Sequence, residues 1–194
     1  MARTFQNLAL FQRMSVLDNV LVGAHTQIKG AGTVASALML PRPRRAEREA
    51  RELALQALQE VGLHGLADSY AAGLPFGQLK RLELARALVA RPRLLLLDEP
   101  AGGLSHDELR ELSALILRIH KDFDVTIVLV EHHMNLVMNV SDRVVVLHFG
   151  RKIAEGSPQQ VQEDSGVIEA YLGTAEAPGQ SSPGHPGPTV PSAG

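Results

Sequence analysis

Two adjacent carboxylates stand where a buried strand is predicted to end. Asp98 and Glu99 directly follow the apolar run Leu94–Leu97, whose continuous hydrophobicity predicts a strand buried on both faces. Both side chains should therefore reach the crevice at the carboxyl ends of the strands, where open α/β sheets bind ligands. Carboxylate oxygens there can hold Mg²⁺ and can orient a water molecule. The plain alternative is an ordinary exit from strand to loop.

A second candidate site is a turn that opens a predicted helix upstream of this strand. Gly77 allows the backbone to approach a ligand closely, and the helix that follows directs its N-terminal amides and positive dipole at an anion. Taken alone, Gly77 is also compatible with ordinary helix capping. The chain contains no Gly-x-x-x-x-Gly-Lys-Ser/Thr phosphate loop. The turn consists of Leu74, Pro75, Phe76, Gly77 and Gln78.

Two neighbouring histidines and one glutamine carry weaker signals. His132 and His133 suggest a metal site, but adjacent side chains should point apart, and no Cys or further His falls at ligand spacing. His133 is therefore expected to be solvated. Gln6 by itself is an ordinary polar residue.

Composition excludes several classes of protein. The 194 residues suffice for one domain with a core, and the absence of cysteine rules out disulfides. A net charge of -2, from 19 Lys and Arg against 21 Asp and Glu, provides no overall basic field, so nucleic acid is not an expected partner. The longest apolar runs, such as Val125–Val130, fall well short of the roughly 20 residues that span a bilayer.

Apolar periodicity predicts alternating helices and strands. A helix capped by Ser15 should begin at Val16 and end at Gly23, and Ser105 and Glu108 have the spacing of a capping box. The order strand, helix, strand, helix, strand implies a parallel sheet. Further predicted elements are helices over Arg45–Val61, Gly77–Ala90 and Met134–Val140, buried strands over Val125–Val130 and Arg143–Leu147, a turn at Phe149–Arg151 into a last strand, and two closing helices that open at Pro158 and Ser165.

The C-terminal segment differs in composition from the rest. Residues 174–194 form a Pro/Gly/Ser-rich tail that is predicted to be disordered, because it has few apolar residues to offset the entropy of the chain. Order should end near Gly173.

Taken together, these motifs resemble ATP-binding subunits of ABC transporters, from Ala2 to about Gly173. Several short sequences resemble the branched-chain amino-acid importer branch in particular, namely Leu10-Phe11, Glu131-His132 before Met134, and Val167–Gly173. In the resemblance Thr4–Asn7 matches the Q-loop, Leu74–Gln78 the signature, Leu94–Glu99 the Walker B strand and His132 the switch histidine.

The resemblance implies an α/β fold. It would be a partial P-loop NTPase (ABC ATPase) core with a parallel sheet, in one domain over residues 1–173, plus an α-helical signature subdomain over about residues 14–90.

The resemblance also implies the chemistry of ATP and Mg²⁺. Asp98 and Gln6 would hold the metal, Glu99 would handle the attacking water and His132 would contact the γ-phosphate. Leu74–Gln78 would clamp nucleotide held by a second ABC ATPase subunit, which implies a homo- or heterodimer. Gln6 would also begin the loop that faces the membrane permease subunits.

The chain departs from the family pattern in three places. Pro75 stands where many members have a serine, and Ser105 where Asp or Asn is usual. The phosphate loop and the strand before it have no counterpart, so we expect the isolated chain to bind and hydrolyse ATP weakly. In the family that strand lies inside the sheet, so its absence should leave unpaired strand edges. A mis-called start or an interrupted gene is the favoured explanation.

The resemblance therefore implies the energising subunit of an importer for branched-chain amino acids or similar small solutes. Such a subunit would be cytoplasmic and peripheral, held on the inner face of the cell membrane through permease subunits. The alternative is an inactive fragment that pairs with an intact subunit or the permease. A non-transport ABC ATPase is less favoured, because the chain has neither heptads nor an internal repeat.

Overall fold

The structure, a computed structural model, describes residues 1–3, 10–24 and 44–172. The predicted Q-loop with Gln6 and the predicted disordered tail lie outside these residues. Internal contacts group the chain into two compact units, Met1–Val140 and Ser141–Gly194. The single domain over 1–173 stays a prediction.

Helices and short strands alternate along the described residues. The first unit contains β1 (Ala2–Arg3), α1 (Val16–Ala24), α2 (Arg44–Glu60), α3 (Phe76–Leu88), β2 (Leu94–Asp98), α4 (His106–Phe123), β3 (Thr126–Val130) and α5 (Met134–Val140). The second unit contains β4 (Val144–His148), β5 (Arg151–Gly156), α6 (Pro158–Glu163) and α7 (Ser165–Leu172).

The first unit is built on a parallel sheet in the order β1, β2, β3. Leu95 and Leu97 are fully buried, whereas Leu94 and Leu96 are half-buried. The prediction that Leu94–Leu97 is buried on both faces is therefore wrong, because β2 packs firmly on one face only. Within the described residues β3 has no neighbour beyond β2.

The predicted burial of the next strand is also wrong. Val128 and Val130 are 47% and 59% exposed, and only Val125, just before the strand, is buried. A strand at the edge of a short sheet lacks the cover that a central strand receives on both sides. The exposure agrees with the expectation that open edges leave apolar side chains uncovered.

Helices α1 and α3 pack closely against each other in the first unit. The Oγ atom of Ser15 accepts a hydrogen bond from the Asp18 N–H at 3.0 Å, which confirms the predicted helix cap. Gly23 lets the two backbones approach, since an added Cβ would lie 2.2 Å from the carbonyl oxygen of Arg86. This packing fixes the position of α3, the predicted signature helix.

Helix α4 follows β2 and returns the chain to β3. Its capping box is present as predicted, because Oγ of Ser105 accepts from the Glu108 N–H and the Glu108 carboxylate accepts from the Ser105 N–H. Leu112, Leu115 and Ile116 on its buried face join the core. Because β2 and β3 pair in parallel, α4 is the crossover between two adjacent strands.

The second unit is a β-hairpin followed by two short helices. Strand β4 pairs antiparallel with β5 across Phe149 and Gly150, which both have positive φ (+46° and +75°). Positive φ at both central positions of a two-residue turn matches the twist of a hairpin. The turn and the last strand are confirmed, but the prediction that Arg143–Leu147 joins the parallel sheet is wrong, because within the residues that the structure describes this strand pairs only with β5.

No helix among the described residues combines the length and the hydrophobicity that crossing a bilayer requires.

Candidate functional site

The two predicted carboxylates lie at the tip of β2. Asp98 is the last residue of the strand and pairs in register with Val130 of β3. Glu99 then reverses the chain with φ of +45°, and its N–H donates to the carbonyl oxygen of Val130 at 2.9 Å. A non-glycine residue adopts this left-handed conformation only where its surroundings hold it. The β2 tip therefore turns sharply and stays anchored to β3.

The tip of β3 brings His132 to the same place. Nδ1 of His132 lies 3.8 Å from Oε1 of Glu99, too far for a direct hydrogen bond. Both side chains reach solvent, at 63% exposure for His132 and 36% for Glu99. Since adjacent parallel strands end at the same edge of the sheet, residues from distant parts of the sequence meet here.

The residue just before His132, Glu131, has a fully buried carboxylate. Its Oε1 accepts from the Ala101 N–H at 2.8 Å, and its Oε2 accepts from the backbone N–H groups of His132 and His133 at 2.9 and 3.1 Å. Burial raises the pKa of Glu131, but the hydrogen bonds from Ala101, His133 and His132 together hold that pKa below its usual value of 4.5. The side chain is therefore ionised at neutral pH.

The His133 ring also faces this carboxylate. Its Nδ1 lies 3.0 Å from Oε2 of Glu131, and because an ionised carboxylate only accepts, the proton of this hydrogen bond belongs to Nδ1. The prediction that the two histidine side chains point apart is wrong, since the ring centroids lie 4.4 Å apart. Potential metal-ligating atoms of Glu131, His132 and His133 all lie within 4.8 Å. The hydrogen bonds to Glu131 already account for this proximity.

The predicted signature turn forms a separate cavity. Pro75 is the N-cap of α3 and makes no side-chain capping bond, and the helix begins at Phe76, one residue earlier than predicted. The carboxylate of Glu108 lies against Gly77, since an added Cβ would be 2.4 Å from its Oε1. A cavity of about 310 Å³ opens here, lined in part by Gly77, Gln78 and Glu108, and its described lining includes none of Asp98, Glu99 and His132.

Glu108 belongs to this signature cavity as well as to the capping box of α4. Backbone and side-chain hydrogen bonds from Ser105 hold the pKa of its carboxyl below the usual value, and the charge of Arg81 adds to this effect. A negative charge therefore stands beside the first turn of α3, where the helix dipole favours anions.

Asp98 also faces the signature helix on its inner side. A small pocket beneath the β2 tip is lined by Asp98, Pro100 and Leu97 together with Lys80 and Glu83 of α3. Glu83 is only 3% exposed, which is unusual for a carboxylate. The β2 tip therefore packs against the signature helix, although the signature cavity and the Glu99–His132 pair are separate sites.

Comparisons with known proteins agree with this geometry. A family model described as ABC transporter matches residues 1–102. The chain is 44% identical over 173 residues to the high-affinity branched-chain amino acid transport ATP-binding protein BraF of Pseudomonas aeruginosa, covering 89% of this chain and 68% of BraF. The chain belongs to the ABC transporter family.

Two further comparisons concern the family branch and the fold. A model described as branched-chain amino acid ATP-binding cassette transporter matches residues 151–177, and LivG of Escherichia coli K12 is 43% identical over 173 residues, covering 89% of this chain and 68% of LivG. The crystal structure of the ADP conformation of MJ1267, an ATP-binding cassette of an ABC transporter, superposes with a TM-score of 0.71 at 30% identity over 89% of this chain and 68% of that one. The predicted ABC ATPase fold is confirmed.

The structure brings together some of the residues that the sequence predicted for an ABC site. Glu99 and His132 meet at the carboxyl ends of β2 and β3, where β2 also ends at Asp98, while Pro75, Gly77 and Gln78 line a separate cavity. Gln6 lies outside the described residues. Sequence reasoning gave Glu131 no role. The available signal was an acid directly after an apolar strand, the same pattern that singled out Asp98.

Proposed function

We propose that this chain is an ATP-binding subunit of an ABC importer for branched-chain amino acids. The observation that carries the proposal is the approach of Glu99 and His132 to 3.8 Å across the tips of two adjacent parallel strands. Similarity to BraF and LivG along 89% of the chain supports the choice of cargo class.

In this proposal the β2 tip handles metal and water. Asp98 ends β2 and Glu99 follows it directly, and their carboxylate oxygens are the hard donors that suit Mg²⁺. Asp98, with Gln6, would hold a Mg²⁺ ion, which when bound neutralises charge on the phosphate oxygens. Glu99 accepts the proton of the attacking water, either before or while the water oxygen bonds to phosphorus.

His132 orients the terminal phosphate. The ring is exposed and stands on the same edge as Glu99, so it can donate a hydrogen bond to a phosphate oxygen while Glu99 faces the water on the other side. Charge develops on the phosphate oxygens during transfer, and a fixed donor there lowers the barrier.

The signature surface serves a second subunit. Pro75, Gly77 and Gln78 line a cavity whose described lining includes neither Glu99 nor His132, so a single copy does not surround one nucleotide with both surfaces. A helix N-terminus binds anions, and Gly77 allows a phosphate to approach the backbone. We therefore propose a homo- or heterodimer in which this surface clamps nucleotide held by the other subunit, with permease subunits at the inner face of the membrane.

One sequence feature favours a second function. The chain contains no phosphate loop, which in ABC ATPases supplies most of the contacts to the β- and γ-phosphates. A chain without this motif would pair with an intact subunit through its signature turn, Leu74–Gln78, or bind the permease, without hydrolysing ATP itself.

A mixed dimer separates the two functions. The chain is combined with an intact ATP-binding subunit of the branched-chain amino-acid class, and ATP hydrolysis is measured against the intact subunit and the chain alone. We expect the chain alone to bind Mg²⁺-ATP weakly and the mixture to hydrolyse it. If this chain's own site works, Glu99→Gln lowers the rate of the mixture, whereas an inactive partner is insensitive to Glu99→Gln.

The signature role has its own variant and control. Gly77→Ala places a Cβ 2.4 Å from Oε1 of Glu108, so the carboxylate must move and the backbone can no longer approach phosphate closely. We expect Gly77→Ala to lower hydrolysis by the mixture at least about tenfold, because small displacements of a bound phosphate have large effects on rate. Gly73→Ala, where no atom lies within 4 Å of the added Cβ, is the matched control. Equal rates for the two variants would contradict the clamp.

A further inference from the structure

Glu131 joins two loops that lie 30 residues apart in sequence. One oxygen of its carboxylate accepts from Ala101, in the turn after Glu99, and the other accepts from His132 and His133. The side chain has no solvent exposure, and its hydrogen bonds come from the protein. A buried carboxylate bonded on both sides fixes the groups that donate to it.

Each of the two loops carries one member of the exposed pair. Ala101 follows Glu99 by two residues, and its N–H is 2.8 Å from Oε1 of Glu131. His132 is the next residue after Glu131, and its N–H is 2.9 Å from Oε2. The turn between Glu99 and Ala101 is stiff, because Glu99 also donates to Val130 and its carbonyl oxygen accepts from Gly102 at 3.2 Å. A shift of the Glu131 carboxylate would therefore move the two loops relative to each other.

We propose that Glu131 is a positioning residue that sets the separation between Glu99 and His132. Its importance for hydrolysis rests on the proposed function, whereas its effect on the geometry of the two loops does not. Glu131 itself touches neither water nor phosphate in this arrangement, since its carboxylate is covered by the groups that it holds.

The positioning role of Glu131 requires a carboxylate rather than an amide. Four donors face the two oxygens of Glu131: three backbone N–H groups and Nδ1 of His133. A glutamine offers one oxygen, and its NH₂ group would face a donor on one of the two sides. An aspartate keeps the charge but is one methylene shorter, so it should reach one loop and release the other.

The test uses the whole chain without nucleotide, observed by NMR. We expect a nuclear Overhauser effect between the His132 ring and the Glu99 side chain, and slow hydrogen exchange at the Ala101 amide. In Glu131→Gln the Overhauser effect should disappear and exchange at Ala101 should accelerate at least about tenfold, because a hydrogen bond to a charged group is lost. In Glu131→Asp, slow hydrogen exchange should persist on one loop only, either at the Ala101 amide or at the amides of His132 and His133.

The matched control is Glu155→Gln. Glu155 is also a carboxylate with a lowered pKa, mainly from its hydrogen bond with Lys152 and the charge of Arg143, but it lies in the second unit. This variant should leave Glu99, Ala101 and His132 unchanged. An unchanged Overhauser effect in a folded Glu131→Gln chain would overturn the positioning role. Loss of the effect in both variants would overturn it as well.

A pH titration of the unmodified chain tests the same idea without a variant. His132 and His133 on the same loop lie 3.9 and 3.0 Å from Oε2 of Glu131, Glu99 at the β2 tip faces His132, and Asp98 pairs in register with Val130. Because the pKa of Glu131 is below 4.5, its charge persists above that pH and is lost as the pH falls through the lowered value. The amide of Ala101 should then shift, because its hydrogen bond to the Glu131 carboxylate weakens when that carboxylate is protonated. An Ala101 amide that does not respond as the pH falls below 4.5 in the folded chain would contradict the positioning role.

ATP hydrolysis by the variants is measured only after NMR has shown whether the two loops separate. If Glu131→Gln separates the loops and ATP hydrolysis by the mixed dimer falls, both proposals stand. If the loops separate but the mixture never hydrolyses ATP, the proposed function fails while the positioning role survives.

Discussion

Glu99 combines a reactive side chain with an unfavourable backbone conformation. Its φ of +45° lies in the left-handed region, and a hydrogen bond to Val130 holds it there. The strain aims the carboxylate away from the strand and toward His132. A residue kept in such a conformation although glycine would fit better suggests that its side chain serves function.

This strain predicts that replacing Glu99 raises stability and removes activity. Glu99→Gly should raise the free energy of unfolding by about 1 kcal/mol, since glycine adopts positive φ without steric cost, and should abolish the hydrolysis assigned to this site. Asp124→Gly is the matched control, because Asp124 has φ of +47° at the C-cap of α4 but no part in the site. It should gain similar stability in urea denaturation and keep activity. Stabilisation by Asp124→Gly alone would mean that Glu99 is not strained.

At the scale of elements, the packing of α1 on α3 determines where the signature helix lies. Asn19 in α1 is fully buried, and it accepts from the Phe11 N–H and donates to the carbonyl oxygens of Phe11 and Ser15. These bonds tie the loop before α1 to the helix, while Gly23 allows contact with α3 at Arg86. The signature turn at the start of α3 is therefore supported from the far end of its helix.

The close contact at Gly23 gives a prediction about helix packing. Gly23→Ala should destabilise the first unit by about 3 kcal/mol, because the new Cβ meets the backbone oxygen of Arg86 rather than a flexible side chain. Gly65→Ala, where nothing lies within 4 Å, is the control and should change stability little. Both are measured by thermal and urea unfolding. Equal stability would show that α1 and α3 separate without cost.

On the scale of the whole molecule, apolar side chains are exposed on strands that have one neighbour among the described residues. Val128 and Val130 on β3, and Val145 and Leu147 on β4, are each about half exposed or more. Strand edges and uncovered apolar faces promote association with other chains.

This surface predicts that the chain self-associates as its concentration rises. Val128→Lys should lower the average mass in light scattering, because a charge on an edge strand opposes pairing between chains. Leu117→Lys is the matched control, since Leu117 is exposed to nearly the same extent (46% against 47%) but lies on helix α4. A mass independent of concentration, or an equal effect of both variants, would contradict the role of the β3 edge.

The sequence by itself determined what depends on neighbours along the chain. Helix caps at Ser15 and Ser105, the turn at Phe149–Gly150 and the strand ending at Asp98 were predictable, because capping bonds, positive φ and apolar runs are local. The ABC family was also evident from motif order.

Only the tertiary structure decided which distant groups meet. The approach of Glu99 to His132, the burial of Glu131 between two loops and the contact of Glu108 with Gly77 all join residues about 30 positions apart. The pairing of β4 with β5 and the exposure of β3 were decided in the same way. Whether a strand is covered, or a carboxylate is braced, depends on what packs against it in space, and residue order alone does not specify that.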